Sequence, residues 1–141
     1  MEKIITKTEK QTLNLGKKLA KSFNGGEVVA LIGNLGSGKT VLAKGIAEGL
    51  GIKGHVTSPT FVLLKPYVVK GDNIKKLVHI DAYRLTSGRD MEAIGATEFF
   101  DRDDCVTIVE WADRVKDILP KDLIIVKFNI RGKNREINIR R

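Results

Sequence analysis

Residues 28–40 read VVALIGNLGSGKT, an apolar run followed by a glycine-rich loop that ends in lysine and threonine. From Gly33 to Thr40 the loop fits the spacing G-x-x-x-x-G-K-[ST], which is typical of phosphate-binding loops (P-loops). The run before it is apolar at every position, as central parallel strands are. Residues 40–50 carry apolar side chains at helical spacing. Strand, loop and helix in this order predict an α/β fold.

The residue types of the loop suit the binding of phosphate. Gly33, Gly36 and Gly38 are expected to take positive φ and to let the backbone approach a ligand closely. Successive N–H groups and the N-terminus of the next helix then form an anion-binding nest. Lys39 supplies a positive charge for the β- and γ-phosphates, and the Thr40 hydroxyl can complete the coordination of Mg²⁺. We therefore expect nucleotide binding; the alternative is a glycine-rich turn with a surface lysine.

The size and composition of the chain are those of one globular domain. The chain has 141 residues, of which 42% are hydrophobic and 30% charged, and it shows no internal repeat or linker. Residues 1–141 are therefore expected to form a single domain. No apolar run approaches the roughly 20 residues of a membrane span, and the charged N-terminus lacks the apolar core of a signal peptide. We expect a cytoplasmic protein without membrane contact.

Cysteine and histidine are too few for several other chemistries. The one cysteine, Cys105, has no partner for an internal disulfide and is expected to be a small hydrophobe in a buried strand. One cysteine and two histidines argue against a zinc site. No serine–histidine pair lies in the setting of a nucleophile elbow, so covalent acyl chemistry is not indicated.

Apolar periodicity and turn residues predict helices interleaved among strands. Thr8 and Gln11 form a capping box for a helix that ends at residues 24–26. Turns at residues 70–73 and 131–134 indicate two hairpins. The predicted fold is α/β, a single P-loop NTPase-like domain with a mixed central sheet flanked by helices and antiparallel strands added by hairpins. Further helices are expected over residues 40–50, 90–100 and 113–119, and strands over residues 27–32, 61–69, 76–83, 105–110, 123–130 and 136–140.

Two carboxylates, Asp81 and Glu110, follow apolar strands and are candidates for metal binding and hydrolysis. Ligands bind open α/β sheets at the carboxyl ends of parallel strands, so both side chains could face the loop. The alternative for each is a helix cap or a surface carboxylate, and the sequence does not decide which lies nearer the metal. His79 shares a strand face with Asp81. It either orients that carboxylate or is a hydrogen-bonded core residue.

Three further features bear on binding. Ser58-Pro59-Thr60 is either a loop that senses the γ-phosphate, with a hydroxyl toward Mg²⁺, or an ordinary turn. Trp111 is expected to belong to the core. Residues 121–141 carry seven Lys or Arg against two acidic side chains, which is +5 of the net charge of +8. They form either a face for a nucleic acid, an acidic partner or nucleotide phosphates, or a charged strand edge.

Five segments together resemble the TsaE (YjeE) family of bacterial P-loop proteins of tRNA modification. The segments occur in the family's order, at like spacing, and the likeness covers nearly the whole chain. P-loops are common, but SPTF, H-x-D-x-Y-R-L and V-E-W in one short chain are specific. The segments are TLxLG (12–16), GNLGSGKT (33–40), VTSPTFVLLKPY (56–67), HIDAYRL (79–85) and IVEWADR (108–114).

The resemblance implies an ATPase that assists formation of N6-threonylcarbamoyladenosine next to the anticodon of tRNAs reading ANN codons. Such a protein acts with TsaD and TsaB, and TsaD performs the transfer. Hydrolysis would be weak in the protein alone, stimulated by the partners, and would support turnover of the assembly. Contact with tRNA is expected through the complex. ATP and Mg²⁺ are the expected cofactors.

The resemblance also assigns residues. The family's Mg²⁺ ligands fall on Thr40 and Glu110, its Walker-B-like aspartate on Asp81, and its switch-like loop on residues 58–61. Together with the loop chemistry, this predicts catalytic roles for Lys39, Asp81 and Glu110 and a metal site at Thr40, Asp81 and Glu110. Val41 stands where some members have a second threonine, a change that a backbone N–H contact survives. The expected nucleotide-binding residues are Thr12, Gly33, Gly36, Ser37, Gly38, Lys39, Thr40 and Val41.

Two other function classes stay open at this point. A small-molecule kinase is one, since short P-loop proteins often phosphorylate metabolites, although no Arg-rich lid segment is evident. A nucleotide-dependent binding module without relevant turnover is the other. Arg84, close after Asp81, is a candidate for contact with the γ-phosphate or with a partner, but the sequence shows no clear arginine finger.

Overall fold

A computed structural model of the chain describes residues 2–54 and 63–141. The strands in this part of the chain form one mixed sheet in the order β1-β7-β6-β2-β5-β4-β3. Helices pack on both faces of the sheet. In chain order the elements are β1 (Glu2–Thr6), α1 (Glu9–Ala20), β2 (Val28–Ile32), α2 (Lys39–Gly49), β3 (Leu64–Val68), β4 (Lys76–Asp81), α3 (Gly88–Ala93), α4 (Thr97–Phe100), β5 (Cys105–Glu110), a 3-10 helix (Ala112–Ile118), β6 (Ile124–Arg131) and β7 (Asn134–Arg140).

Four parallel strands form the middle of the sheet. β2 pairs in parallel with β5 on one side and β6 on the other, and β4 continues the parallel pairing beyond β5. Every residue of β5 is buried, as is expected for a strand covered on both faces. The carboxyl ends of these strands meet at one edge of the sheet, which brings the P-loop, Asp81 and Glu110 to the same place. The predicted α/β fold with a mixed sheet is confirmed.

Antiparallel strands extend both sides of this parallel centre. β3 returns on β4, and β7 returns on β6, as the two predicted hairpins require. β1 pairs antiparallel with β7 and was not predicted, because its five residues begin with two charged side chains and do not alternate between apolar and polar. Since β6 and β7 each have a strand on both sides, the alternative that residues 121–141 form a charged strand edge is wrong.

Local sequence explains most of the element boundaries. Thr8 is the N-cap of α1, where its Oγ1 accepts a hydrogen bond from the Gln11 N–H at 3.1 Å. α1 ends at Ala20, ahead of the glycines at residues 25 and 26. The predicted helix over residues 90–100 is two short helices separated by Gly95, whose φ is 77°.

Two other predictions differ from the structure in extent or type. Residues 112–118 form a 3-10 helix in which Val115 departs from helical geometry, where the sequence predicted a helix over residues 113–119. The predicted strand over residues 61–69 is described only from residue 63, and β3 begins at Leu64. The turn Ser58-Pro59-Thr60 and the switch-like loop at residues 58–61 lie outside the described residues.

Two apolar clusters cover the two faces of the sheet. One lies under α1 and α2 and takes alternate strand residues such as Leu77 and Ile108. The other lies under α3, α4 and the 3-10 helix and takes their neighbours, such as Val78 and Val109. Cys105 belongs to the second cluster, and burial raises the pKa of its thiol, so it is a core side chain as predicted. Within residues 2–54 and 63–141, no helix has the length and apolar character needed to cross a membrane.

Glycines let α1 and α2 approach at backbone distance. A Cβ added at Gly45 of α2 would lie 2.1 Å from the Leu13 carbonyl oxygen of α1. One added at Gly16 of α1 would lie 2.4 Å from the Leu42 carbonyl oxygen. Both neighbours are backbone atoms, which cannot move without shifting a helix. The glycines therefore fix the position of the helix that follows the P-loop.

Gly45→Ala is expected to lower the free energy of unfolding by about 1–3 kcal/mol, the usual cost of overpacking. The sign is diagnostic, because glycine to alanine in an open helix would instead stabilise by roughly 1 kcal/mol. Chemical denaturation measures the difference, with Lys44→Ala on the same helix as a control expected to change stability by about 0.5 kcal/mol or less. A Gly45→Ala protein more stable than wild type would contradict the close helix contact.

Glu136 of β7 joins three strands through its two carboxylate oxygens. Oε1 lies 3.0 Å from Lys3 Nζ of β1, and Oε2 accepts a hydrogen bond from Arg131 Nε of β6 at 2.8 Å. Hydrogen bonds from Lys3 and then from Arg131 hold the pKa of Glu136 below its ordinary value of 4.5. This cluster ties the terminal strand β1 to the hairpin of β6 and β7.

Glu136→Gln is expected to lower the melting temperature at pH 7 and to have a smaller effect at pH 3. Because the folded-state pKa of Glu136 is depressed, its contribution is present above pH 4.5 and is lost as the pH falls through the lower folded-state value. Thermal unfolding of both proteins across this range checks the expectation. Glu2→Gln on the exposed part of β1 makes the same charge change as a control. A difference between Glu136→Gln and wild type that is equal at both pH values would contradict it.

Candidate nucleotide-binding site

The backbone of the P-loop takes the conformations that only glycine adopts readily. Gly36 and Gly38 have φ of 76° and 106°, and Gly38 is the N-cap of α2. Gly33 does not have positive φ, so that part of the prediction is wrong. Glycine is required at this position because a side chain has no room: a Cβ there would lie 2.7 Å from Ser37 Oγ and 2.9 Å from Phe128 Cβ.

A cavity of about 620 Å³ opens between the P-loop, the start of α1, the ends of β4 and β5, and the hairpin of β6 and β7. This volume is in the range of small-molecule and cofactor sites. Of the predicted site residues, Gly33 and Ser37 do not line it; they support the loop from behind. The predicted residues that do line it are Thr12, Gly36, Gly38, Lys39, Thr40, Val41, Asp81 and Glu110.

Lys39 is held inside the loop that it follows. Its side chain is buried, and Nζ donates to the carbonyl oxygens of Gly33 at 2.6 Å and Asn34 at 2.8 Å. The same ammonium lies 4.2 Å from the centre of the Trp111 ring. Burial lowers the pKa of Lys39, and the charges of Glu110 and Asp81 oppose that shift. A buried cation at the mouth of an N–H nest is suited to an anionic ligand.

Thr40 and Glu110 are joined by a hydrogen bond across the head of α2. The Thr40 hydroxyl donates to Glu110 Oε1 at 3.0 Å. The other oxygen, Oε2, lies 2.5 Å from His79 Nε2. The histidine therefore contacts Glu110, where the sequence left open either orientation of Asp81 or a hydrogen-bonded place in the core. Both histidine and glutamate are buried, with 1% and 2% of their surfaces exposed.

Asp81 lies opposite Glu110 in the parallel pairing of β4 and β5. It is buried, and its Oδ1 accepts a hydrogen bond from the Tyr83 N–H at 2.9 Å. Within the described ranges, no three side chains of His, Cys, Asp or Glu are grouped so as to hold a metal ion. The Thr40 hydroxyl with one or two carboxylates is instead a partial oxygen set, which fits Mg²⁺ bound jointly by protein, phosphate and water.

The aromatic residues at the cavity were not predicted to be there. Trp111 follows Glu110 at the end of β5 and has φ of 57°. It is partly buried and packs against the second apolar cluster, as expected of a core residue, and it also lines the cavity. Its ring lies 5.0 Å from that of Tyr83, and the Arg114 guanidinium lies 5.0 Å from the Tyr83 ring. Arg114 also donates to the Tyr83 carbonyl oxygen at 2.8 Å. The sequence signal that could have placed Trp111 at the cavity is its position directly after the end of β5.

Two more groups at the cavity come from the ends of the chain. Thr6 of β1 lines it and its Oγ1 lies 2.7 Å from Thr12 Oγ1, which couples β1 to α1. Lys133 and Arg135 also line it, and Arg135 pairs with Thr6 in the register of β7 and β1. Arg135 Nη2 donates to the Gly36 carbonyl oxygen in the P-loop at 3.2 Å. Of the interpretations of the basic C-terminal segment, contact with a ligand in this cavity is the one that its position favours. Arg84 is not among the lining residues.

Comparison with protein families identifies relatives along almost the whole chain. The sequence model of the family described as "Threonylcarbamoyl adenosine biosynthesis protein TsaE" matches residues 6–138. Proteins named "tRNA threonylcarbamoyladenosine biosynthesis protein TsaE" include one from Streptomyces coelicolor, 42% identical over 82% of this chain and 76% of its own length. One from Treponema pallidum is 36% identical over 96% of this chain and 97% of its own.

A solved structure agrees with the fold. The crystal structure of YdiB from Bacillus subtilis superposes with a TM-score of 0.77 at 32% sequence identity, covering 98% of this chain and 83% of that one. A protein of the same bacterium, named as a TsaE protein, is 37% identical over 94% of this chain and 80% of its own length. Family match, sequence identity and superposition therefore agree with the resemblance carried by the five segments: this chain belongs to the TsaE family of threonylcarbamoyl adenosine biosynthesis proteins, on a P-loop NTPase-like fold.

Proposed function

We propose that this protein binds and hydrolyses ATP with Mg²⁺ in the cavity beside the P-loop, as an accessory ATPase of threonylcarbamoyladenosine formation in tRNA. One observation carries the proposal. The buried ammonium of Lys39 and the Thr40–Glu110 pair stand in one cavity with the N–H groups of a P-loop. A cation, an oxygen donor set and an anion nest are the parts that phosphoryl transfer requires.

Each residue has a defined part in this proposal. The P-loop N–H groups and Lys39 bind the phosphates, with Lys39 Nζ leaving the carbonyl oxygens of residues 33 and 34 for phosphate oxygens. Thr40 and Glu110 hold Mg²⁺, which when bound neutralises charge on the phosphates. Asp81, opposite Glu110 in the sheet, accepts a hydrogen bond from water near the metal or the γ-phosphate. Arg135, which donates to the Gly36 carbonyl oxygen, supplies a second cation beside the P-loop.

The cavity supports a role in ATP turnover more than one in acyl transfer. Its lining contains no cysteine or histidine among the described residues, and Cys105 is buried in the core. The transfer of the threonylcarbamoyl group is therefore proposed to occur on a partner, TsaD, with TsaB as the third member and tRNA reached through the complex. The proposed location is the cytoplasm, where tRNA is modified.

Release of phosphate from ATP, with and without TsaD, TsaB and tRNA, tests the proposal. We expect slow release by the protein alone and stimulation by the partners. Lys39→Ala and Glu110→Ala are expected to lower the stimulated rate about a hundredfold, the usual effect of removing one transition-state contact. Lys44→Ala, on the same helix but outside the cavity, should retain it. Stimulated release that survives Glu110→Ala would contradict the assigned role of Glu110.

A metabolite kinase is the competing outcome of the same assay. Incubation with ATP and a pool of metabolites, followed by mass spectrometry, separates the two functions. A phosphorylated metabolite formed with little free phosphate would overturn the ATPase proposal. Nucleotide binding that occurs without release under any partner combination would indicate a binding module.

Arg135→Glu is expected to raise the dissociation constant for ATP about tenfold or more. The change removes a guanidinium on the P-loop and places a carboxylate near the bound phosphates. Titration with a fluorescent ATP analogue measures the effect. Arg140→Glu makes the same charge change on the same strand at an exposed position outside the cavity, and its affinity should stay close to wild type. Equal weakening by both variants would mean that only the net charge matters.

A further inference from the structure

We propose that His79 is a positioning residue: it holds one oxygen of Glu110 so that the other faces Thr40 and the metal-binding end of the P-loop helix. The inference rests on the proposed magnesium–nucleotide site and names a residue beyond those already assigned to it. It is carried by the geometry of three side chains from β4, β5 and α2.

The sheet places His79 beside Oε2 of Glu110, the oxygen that does not accept the Thr40 hydroxyl. His79 pairs with Ile108 in the parallel register, and both lie on the sheet face under α2, as Glu110 does two residues further along. The imidazole of β4 therefore contacts the glutamate that lies two residues beyond its own register partner on β5. Nε2 meets Oε2 at 2.5 Å, while Oε1 accepts the Thr40 hydroxyl at 3.0 Å.

This arrangement is what a buried metal-binding carboxylate needs. Glu110 is 2% exposed, and a carboxylate taken from water is costly unless its oxygens accept hydrogen bonds. His79 and Thr40 provide one donor for each oxygen. When Thr40 turns its oxygen to a metal ion, the bond from His79 remains and fixes the rotation of the carboxylate. Partners outside the ligand set commonly orient metal-binding side chains in this way.

The other ring nitrogen of His79 also supports a positioning role. Nδ1 of His79 is buried and has no hydrogen-bond partner among residues 2–54 and 63–141. A histidine kept only to join elements of the core would be expected to use both nitrogens. Here the contact that orients the ring within the described structure is the one to Glu110. An ionised carboxylate only accepts hydrogen bonds, so Nε2 carries the proton.

Three substitutions separate positioning from packing. Glutamine carries its amide nitrogen near the place of Nε2, asparagine carries it near the place of Nδ1, and leucine fills the space without a donor. The dissociation constant of each variant for a fluorescent ATP analogue is measured with and without Mg²⁺, and the ratio gives the strengthening of binding by the metal. Thermal unfolding and partner-stimulated phosphate release accompany it.

We expect His79→Gln to keep the strengthening by Mg²⁺, and His79→Asn and His79→Leu to reduce it by about tenfold, the lower end of the effect of losing such a partner. Affinity without Mg²⁺ should stay within about twofold of wild type in all three. Equal strengthening by Mg²⁺ in all variants, or an equal loss in His79→Gln and His79→Leu, would overturn the inference. A loss of affinity without Mg²⁺ that matches the loss with Mg²⁺ would also overturn the inference. If wild type itself shows no strengthening by Mg²⁺, the proposed magnesium site fails first, which is a distinguishable result.

Discussion

The hydrogen bond between Thr40 and Glu110 connects the helix after the P-loop to the centre of the sheet. It exists because β2 and β5 are parallel neighbours, so the loop that follows one strand and the carboxylate that ends the other meet at the same edge. Glycines in α1 and α2 set how closely that helix approaches the rest of the domain. A shift of α2 by a fraction of an ångström would separate the hydroxyl from the carboxylate, so packing far from the cavity determines its geometry.

Electrostatics at the cavity is arranged around one buried cation. Lys39 has lost most of its hydration and is compensated by two carbonyl oxygens, the face of Trp111 and the nearby carboxylates. Those carbonyl oxygens are neutral, so an oxygen that bears a charge is a better partner for the ammonium. The free protein thus holds the lysine in a position from which an anionic ligand can displace its present contacts. The pKa of Lys39, lowered by burial, and its short hydrogen bonds to the loop carbonyl oxygens both belong to this position of the side chain in the free protein.

Sequence predicted the fold and the centre of the site, and local patterns explain why. The apolar run before GNLGSGKT, the capping residue Thr8 and the strand-end carboxylates are signals carried by adjacent residues. Trp111 was not placed at the cavity, and for the segment of Arg135 contact with nucleotide phosphates was one of several alternatives. Both positions depend on how the end of β5 and the hairpin of β6 and β7 meet the P-loop. Glu110 was not named as the partner of His79 for a related reason: the face of a strand follows from period two, but a diagonal contact follows from register between strands.

The pairing of β1 with β7 has a consequence for how the site comes to exist. Thr6 and Arg135, which pair with each other across β1 and β7 and both line the cavity, come from segments far apart in the sequence. Contacts so distant along the chain form late, because the intervening segment must be ordered first. The P-loop and its helix can be assembled from local interactions, whereas the enclosed cavity cannot. During synthesis, the segment that supplies Thr6 must therefore wait for nearly all of the domain to be made, and the ability to hold a ligand would emerge as one of the last events of folding.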